Sequence, residues 1–280
     1  MLKCILLFIP FVWVSNLYGQ VSEHDFDHRI TYKLSFIKDS TNRENVTTEY
    51  MELLIGDSLK VFRSYNRARR DSLNYVSEQK RNAWVAAGSV GEIAYERPPQ
   101  TNFNYVIFHE QDKSIYVETL QDQNTYLYEE TEIPVWQLTD ETTMIEDYLC
   151  QKATTEWGNR IWEAWFCIEV PIDYGPYMFQ GLPGLIISLK DMTGSWNFEL
   201  AGISNIVNSV ILNDNRAQSN IKKVEKSEFY KSRKYLHENF FDINISSGRI
   251  RYPDEHRQNE ARAAFVKRVK EDNNWIELYP

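Results

Sequence analysis

Residues 150–167 read CQKATTEWGNRIWEAWFC, and the Gly158-Asn159 pair at their centre decides how this stretch folds. Gly and Asn readily adopt the positive backbone angles that a two-residue β-turn requires. The sequence therefore predicts a β-hairpin in which positions equally far from the turn face each other. Trp157 then lies opposite Arg160, and Cys150 lies opposite Cys167.

The hairpin register predicts a disulfide between Cys150 and Cys167. Alternation along an antiparallel ladder places them at a non-hydrogen-bonded pair, where Cα atoms are about 4.5 Å apart. That spacing is just inside the range that a disulfide tolerates. In an oxidising compartment the bridge would close a loop of about 18 residues and stabilise the fold by roughly 3 kcal/mol. The alternative is two reduced cysteines, with Cys150 beside Lys152 and Trp165 on the wetter face; without a Cys-x-x-Cys motif, a redox-active role has little support.

Outward from this hairpin, the same local signals predict more strands. Apolar and polar residues alternate from Ile30 to Phe36, which is typical of a strand with one buried face. Short polar turns join further runs into predicted hairpins. These runs cover residues 49–55 with 59–65, 103–110 with 114–120, 125–129, and 185–190 with 195–203. Successive strands separated by short turns favour an antiparallel meander.

Helical spacing is found in three places. One is Arg70–Trp84, a second begins at a serine cap at Ser227, and a third spans Asp254–Glu271. Strands followed by helices predict an α+β fold. We expect a curled, half-barrel-like antiparallel meander of about eight to eleven strands, with the C-terminal helices packed on it.

The first residues resemble a secretory signal peptide. Lys3 precedes an apolar run from Cys4 to Val14, and small or polar residues follow to Gly19. We predict cleavage after Gly19 and one domain over residues 20–280. The run is shorter than the roughly 20 residues of a spanning helix, and Cys4 is poorly placed for lipid attachment. The expected protein is periplasmic or secreted, without a transmembrane segment.

The charge and aromatic content of the chain restrict the classes of molecule that it is expected to bind. The formal net charge is −9, and the basic residues Arg67, Arg69 and Arg70 are followed by acidic and polar ones. Nucleic acid is therefore disfavoured as a partner. The chain holds eight Trp and seventeen Tyr, which predicts a core of large aromatic side chains.

The segment from Val170 to Gly184 is rich in proline and glycine and predicts a shaped loop. We expect Leu182-Pro183-Gly184-Leu185 to form a type II turn with a positive φ at Gly184. Gly181, Pro183 and Gly184 are the predicted structural turn residues. The predicted ligand-binding residues line an apolar cavity and are Tyr174, Tyr177, Met178, Phe179 and Leu182. The alternative is that this loop only closes one end of the sheet.

The motif Gly181-Leu182-Pro183-Gly184-Leu185-Ile186 carries a family resemblance. Together with Cys150-x-Lys152-Ala153, Ala164-Trp165-Phe166 and Val170-Pro171-Ile172, it is similar to the GLPGLI family of secreted and envelope proteins from Bacteroidetes-type bacteria. Asn273-Asn274-Trp275-Ile276-Glu277 resembles the Asn-Pro-Ile-Glu ending of that family, with Trp275 in place of proline. The family has no established activity, so the resemblance implies no catalytic residue and no cofactor.

Enzyme and metal motifs are weak. His24-Asp25-Phe26-Asp27-His28 offers nitrogen and oxygen ligands, but it follows the predicted cleavage site, where chains are usually loose. Glu169 with Asp173 could act as an acid–base pair, although surface charge explains it as well. We predict no metal site, no cofactor and no assigned catalytic residue.

Three functions follow as hypotheses. The first is a non-catalytic envelope protein that binds an apolar ligand, either a lipid or a peptide. The second is an accessory protein of an outer-membrane assembly, which uses its acidic surface and the segment 275–279. The third is a hydrolase whose site is assembled from scattered residues. An enclosed apolar cavity favours the first, an exposed aromatic patch the second and a cleft with clustered carboxylates or histidines the third.

Overall fold

The computed structural model describes residues 20–88, 96–206, 209–214, 216 and 221–278. The predicted signal peptide, residues 1–19, lies outside these ranges. The described residues form fourteen strands and three helices. None of these helices is long and apolar enough to cross a membrane.

Twelve strands form one large sheet and two form a small one. The large sheet contains β2 (His28–Ile37), β3 (Val46–Ile55), β4 (Lys60–Ser64), β5 (Tyr105–His109), β6 (Ser114–Thr119), β7 (Thr125–Glu130), β8 (Gln137–Ile145), β9 (Tyr148–Trp157), β10 (Arg160–Cys167), β11 (Leu185–Asp191), β12 (Trp196–Asn205) and β14 (Ile221–Lys223). The small sheet pairs β1 (Gln20–His24) with β13 (Val210–Asp214). The helices are α1 (Tyr65–Ala86), α2 (Lys226–Ser246) and α3 (Glu255–Glu271).

The large sheet is an open, mostly antiparallel meander with two crossovers, which place β14 beside β7 and β12 beside β2. Its strand order is β14-β7-β6-β5-β4-β3-β2-β12-β11-β10-β9-β8, and β14 pairs with β7 in parallel. The sheet curls until its two ends approach each other. Lys226 Nζ shows this, since it lies 5.9 Å from the ring of Tyr128 on β7 and 4.8 Å from the ring of Trp157 on β9. The predicted α+β class is confirmed, and the sheet has one strand more than the upper end of the predicted range.

The predicted central hairpin is confirmed in its turn and its register. Gly158 and Asn159 both have φ of 59°. β9 and β10 pair from Trp157↔Arg160 to Gln151↔Phe166, so Cys150 and Cys167 are next in the ladder. Both cysteines are free and buried in the structure. The disulfide therefore stays a prediction, whereas the alternative placement of Cys150 on a wetter face is wrong, since Cys150 is fully buried.

Aromatic side chains fill the inside of the curled sheet. Tyr105, Tyr116 and Tyr128 stack across β5, β6 and β7, with ring centroids 5.2 and 4.9 Å apart. Phe229 of α2 packs edge-on against Tyr116 at 5.2 Å. Offset and edge-on contacts of this kind add to the free energy of burial. The predicted aromatic core is therefore present, and α2 is the helix that covers it.

The helix boundaries follow local capping and ion pairing. β4 runs directly into α1, where the Ser64 side chain caps the helix by accepting from the Arg67 amide, so α1 begins five residues before the predicted start. The predicted Ser227 cap is wrong, because α2 begins at Lys226 and its N-cap Glu225 makes no side-chain capping bond. The predicted third helix is confirmed, with Asp254 as its cap. It packs on α2, and none of its residues is buried.

The predicted type II turn is wrong. Gly184 is not among the positive-φ residues, whereas Gly181 has φ of 91°. A Cβ atom on Gly184 would lie 2.1 Å from the carbonyl oxygen of Cys167. Glycine is required at position 184 by close contact with β10 and not by a turn angle.

The residues after the predicted cleavage site are also ordered, contrary to the expectation that they are loose. β1 pairs with β13 along its length, and His28 Nδ1 lies 3.0 Å from Asn205 Oδ1. No group of three metal-ligating side chains occurs in the described ranges.

Residues Asn273–Leu278, which we call the C-terminal strap, dock against the central hairpin. Arg160 donates to the carbonyl oxygens of Ile276 at 3.0 Å and Trp275 at 2.6 Å, and it pairs with Asp191 at 2.8 Å. The Leu278 amide donates to Gly158 O at 2.8 Å. A Cβ atom on Gly158 would lie 2.6 Å from Cγ of Glu277. The strap therefore closes one end of the fold.

Candidate functional site

A polar cavity of about 790 Å³ lies between α1, α2 and the ends of the sheet strands, and we call it the α1–α2 cavity. Its charged lining residues are Arg67, Arg70, Asp71, Glu118, Arg233 and Asp272. Its amide side chains are Asn74, Asn102, Asn104, Gln121, Gln123 and Asn213. Thr119, Leu120, His237 and Trp275 complete the lining. Three arginines and three carboxylates balance in formal charge, so the cavity favours polar ligands without a strong preference for either sign.

The first turn of α1 is anchored by the buried carboxylate of Glu49. Glu49 accepts from the hydroxyls of Ser64 and Thr101 at 2.5 Å each. It also accepts from the backbone and side-chain amides of Asn102, both at 2.9 Å. A carboxylate with four donors holds the start of α1 and the segment before β5 in a fixed relation.

Two arginines at opposite sides of the cavity differ in their surroundings. Arg67 is 4% exposed, donates to the Asn104 carbonyl and lies with Nε 3.7 Å from Asp71 Oδ2. Burial lowers the pKa of Arg67. Burial also lowers the pKa of Arg233, but Glu118 and nearby tyrosines more than offset it, so the net shift is upward. Both guanidinium groups stay charged at any physiological pH.

Glu118 is a buried carboxylate on the cavity wall with one strong partner. Tyr116 donates its hydroxyl to Glu118 Oε2 at 2.9 Å, and Arg233 Nη1 lies 3.9 Å from the same oxygen. Burial first, and the charge of Glu118 second, raise the pKa of Tyr105 and Tyr116 well above the usual value. These tyrosines therefore act as neutral hydroxyls.

Trp275 of the C-terminal strap forms the aromatic part of the lining. The Arg233 guanidinium lies 4.9 Å from its ring centroid, and the His237 ring meets it edge-on at 5.5 Å. The cation and the ring attract each other in this geometry. The strap thus positions one large flat side chain in the cavity.

Several buried polar atoms of the lining have no hydrogen-bond partner among the described residues. The acceptors are Gln121 Oε1, Asn213 Oδ1 and Asp71 Oδ2, and His237 Nε2 and Arg67 Nε belong to the same set. Asp71 and Arg67 form an ion pair, but 3.7 Å is too long for a hydrogen bond. Native proteins satisfy nearly all buried polar groups, so such atoms indicate a ligand or ordered water.

The predicted ligand-binding loop lies elsewhere. Tyr177, Met178, Phe179 and Leu182 are at most 1% exposed and pack in the main core, and Tyr177 donates to Glu277 at 2.6 Å. Tyr174 is half-buried beneath Lys60, whose Nζ lies 5.1 Å from its ring. None of these residues lines the α1–α2 cavity. The structure brings the loop residues together as core, and their ligand-binding role stays a prediction.

Sequence reasoning missed the residues of the cavity. The one local signal is Arg67-x-x-x-Asp71, a charged pair at (i, i+4) spacing. Such pairs usually lie on the exposed face of a helix, but this one is buried. The other lining residues come from the rest of α1, the segment before β5, β6 and the turn after it, β13, α2 and positions 272 and 275, which only the tertiary structure brings together. The predicted helix began at Arg70 and so did not include Arg67, because α1 begins at Tyr65.

A short central segment of this chain matches a known family. Residues 155–188 match a family model described as a protein of unknown function (Porph_ging). That segment overlaps the one that carries the GLPGLI resemblance, and the GLPGLI name itself stays an expectation. No curated protein matches this chain.

Solved structures of PNGF-II resemble part of the fold. The structure in the P21 space group has 14% sequence identity and a TM-score of 0.48 over 75% of this chain. The structure in the C2 space group has 15% identity and a TM-score of 0.46 over 74% of this chain. This chain spans about a third of the length of PNGF-II, 33% in the first structure and 32% in the second.

Proposed function

We propose that this protein binds a small polyhydroxylated molecule, such as a saccharide, in the α1–α2 cavity. The supporting observation is the excess of buried acceptors without a donor, namely Gln121 Oε1, Asn213 Oδ1 and Asp71 Oδ2. Each hydroxyl of a polyol can donate to one of these oxygens and accept from a neighbouring amide or guanidinium. A ligand that satisfies them removes the free-energy penalty of leaving them unpaired.

Other ligand classes fit this lining less well. Fully ionised phosphate and carboxylate ligands can only accept, so they would leave Gln121 Oε1, Asn213 Oδ1 and Asp71 Oδ2 without a hydrogen-bond donor. A lipid would leave the charged and amide groups unpaired, because Leu120 and Trp275 are the apolar members of the lining. The lipid or peptide ligand predicted at residues 170–184 has less support, since four of its five residues are core.

The lining is held in place before a ligand arrives. Glu49 fixes the start of α1, and Arg160 fixes the strap that carries Trp275. A prearranged site loses little conformational entropy on binding. The envelope location of this binding protein rests on the signal-like residues 1–19. The predicted accessory role in an outer-membrane assembly stays a prediction.

Hydrolysis of the bound molecule is the second candidate function. Glu118, Asp71, Asp272 and His237 line the same cavity, so acid and base groups surround the proposed ligand. Release of nitrophenolate from nitrophenyl glycosides, abolished in Glu118→Gln, would establish hydrolysis. Binding without release supports the non-catalytic function.

The binding proposal is tested by isothermal titration calorimetry and thermal unfolding. The probes are glucose, galactose, mannose and mannitol, with inorganic phosphate and oleate as contrasts. We expect at least one neutral probe to bind and raise Tm, because a ligand specific for the folded state stabilises it. Binding of oleate or phosphate alone would refute the proposal.

Matched variants locate the site. Asn213→Ala and Gln121→Ala should each weaken binding of the active probe about tenfold, since each removes one hydrogen bond. Gln137→Ala changes an exposed amide on β8 and should bind as the wild type does. Equal affinity of all four proteins would place the ligand outside this cavity.

A further inference from the structure

A second cavity, of about 740 Å³, lies where the two ends of the open sheet approach each other. We call it the seam cleft; it is lined by residues 129–132 at the end of β7, 156–161 at the tip of the central hairpin, and 225–226 at the start of α2. It shares no lining residue with the α1–α2 cavity. Whatever it binds is therefore independent of the proposed function.

The seam cleft is strongly acidic. Its lining includes Glu129, Glu130, Glu132, Glu156 and Glu225. Glu130 pairs with Lys226 at 2.7 Å and Glu129 with Lys113 at 3.1 Å.

The other charges leave part of this negative charge uncompensated. Glu132, Glu156 and Glu225 are exposed and form no ion pair with another described residue. The cation Arg160 is buried and engaged by Asp191 and the C-terminal strap. Three carboxylates thus face the cleft without a paired cation in the described part of the chain.

A buried donor provides a second, independent observation. Trp157 lines the cleft and is 8% exposed, and its buried Nε1 has no hydrogen-bond partner among the described residues. Lys226 Nζ already occupies the region over its ring, at 4.8 Å. The available group is therefore the indole N–H, which requires an acceptor and not a cation.

These two observations together specify a ligand that carries both cations and a neutral acceptor. A basic peptide does so, because its ammonium or guanidinium groups pair with carboxylates and its backbone carbonyls accept from an N–H. A single metal ion fits less well, since no three ligating side chains converge in the described ranges. We propose that the seam cleft binds a basic peptide segment, with cationic side chains on Glu132, Glu156 and Glu225 and a backbone carbonyl on Trp157 Nε1.

The first experiment measures affinity for the acetylated and amidated tetralysine peptide Ac-KKKK-NH2 by calorimetry. Binding should occur at low salt and weaken strongly at about 0.3 M salt, because exposed charges are screened there. The triple variant Glu132→Gln/Glu156→Gln/Glu225→Gln should weaken binding about tenfold, the combined effect of three exposed ion pairs.

The control variant is Glu44→Gln/Glu238→Gln/Glu255→Gln, which has the same net charge and changes exposed glutamates elsewhere. It should bind the peptide as tightly as the wild type does. Equal weakening in both variants would show a non-specific charge effect and overturn the proposal. Absence of peptide binding to the wild type would overturn it as well.

The second experiment tests the indole contact by ¹⁵N NMR of the tryptophan side chains. Ac-KKKK-NH2 should shift the Trp157 indole resonance, which Trp157→Phe identifies by its absence. Spermine carries several cations and no carbonyl, so it should bind more weakly and leave that resonance in place. Equal affinity for spermine, or an unmoved indole resonance with bound peptide, would overturn the assignment to a peptide.

Discussion

At the residue scale, two glycines are required by close backbone contact. Gly184 lies against the carbonyl of Cys167, and Gly158 lies against Glu277 of the strap while also adopting a positive φ. The motif that carries the family resemblance therefore has a packing role. It brings the loop of residues 170–184 against β10, so that Leu185 can start β11.

Gly184→Ala should destabilise the protein by roughly 3 kcal/mol, because an added Cβ would force the loop away from β10. Urea unfolding followed by tryptophan fluorescence measures the change. The control is Gly202→Ala, an exposed position with no atom within 4 Å of the added Cβ. A Gly184→Ala protein as stable as the control would contradict the packing role.

His109 makes stability depend on pH. It is 1% exposed, its Nδ1 lies 2.8 Å from Ser114 Oγ, and burial lowers its pKa to about 4. In the unfolded chain the His109 imidazole takes up a proton near pH 6.5, whereas in the folded protein it does so only near pH 4. The free energy of unfolding is therefore at its full value above pH 6.5 and decreases as the pH falls towards 4. The lost contribution is about 3 kcal/mol.

His109→Asn should reduce that dependence, because an amide can still meet Ser114 but does not titrate. Urea midpoints at pH 7 and pH 4.5 measure the difference between the two proteins. His256→Gln, which replaces an exposed histidine on α3, should keep the wild-type profile. Identical pH profiles for wild type and His109→Asn would contradict the assignment.

At the element scale, the central hairpin is the part most completely specified by local sequence. Its two turn residues set the register, and the register aligns Cys150 with Cys167. Burial first, and the proximity of Cys167 second, raise the pKa of the Cys150 thiol to about 11. The thiolate is therefore scarce in the folded protein, so a disulfide should form before the hairpin is buried.

Protein matured in an oxidising envelope should be lighter than the reduced chain by two hydrogen atoms. Cys150→Ser should lower its Tm, with a loss of up to roughly 3 kcal/mol if the bridge is present. Intact mass spectrometry with and without reductant measures the mass difference, and calorimetry measures the Tm of the two proteins. Two free thiols on the folded, matured protein would refute the disulfide.

At the scale of the whole molecule, an open sheet is held together by groups that span its two ends. Lys226 pairs with Glu130 of β7 and with Glu277 of the strap, at 2.7 and 2.9 Å. Its ammonium also lies over Trp157 of β9. One cation at the start of α2 thus links both ends of the sheet and the strap.

Lys226→Met should destabilise the protein by about 3–5 kcal/mol, because Glu277, which is 1% exposed, would keep a buried charge without its cation. Lys222→Met removes a partly exposed lysine and should change stability by about 0–1 kcal/mol. Urea unfolding of the two variants provides the comparison. Equal stability would show that Lys226 does not hold the ends of the sheet together.

The elements that local interactions specify could be predicted from the amino-acid sequence. Strand alternation and short polar turns specified the hairpins, the Gly158-Asn159 turn specified a register, and Asp254 marked the start of α3. The starts of α1 and α2 were missed, because β4 runs directly into α1 and because ion pairs rather than a serine cap position Lys226.

The positions of the candidate sites depend on contacts between residues that are distant in sequence. Asp71, Gln121 and Asn213 belong to a helix, a turn and a strand that are distant in sequence, and no periodic pattern marks a buried acceptor without a donor. The aromatic residues of the loop at residues 170–184 showed the converse, because aromatic side chains suit a ligand site and a core equally well. The free energy of hydrophobic burial is proportional to the apolar area that is buried and does not depend on where a residue stands in the sequence. The fold therefore decides that these aromatic residues belong to the core.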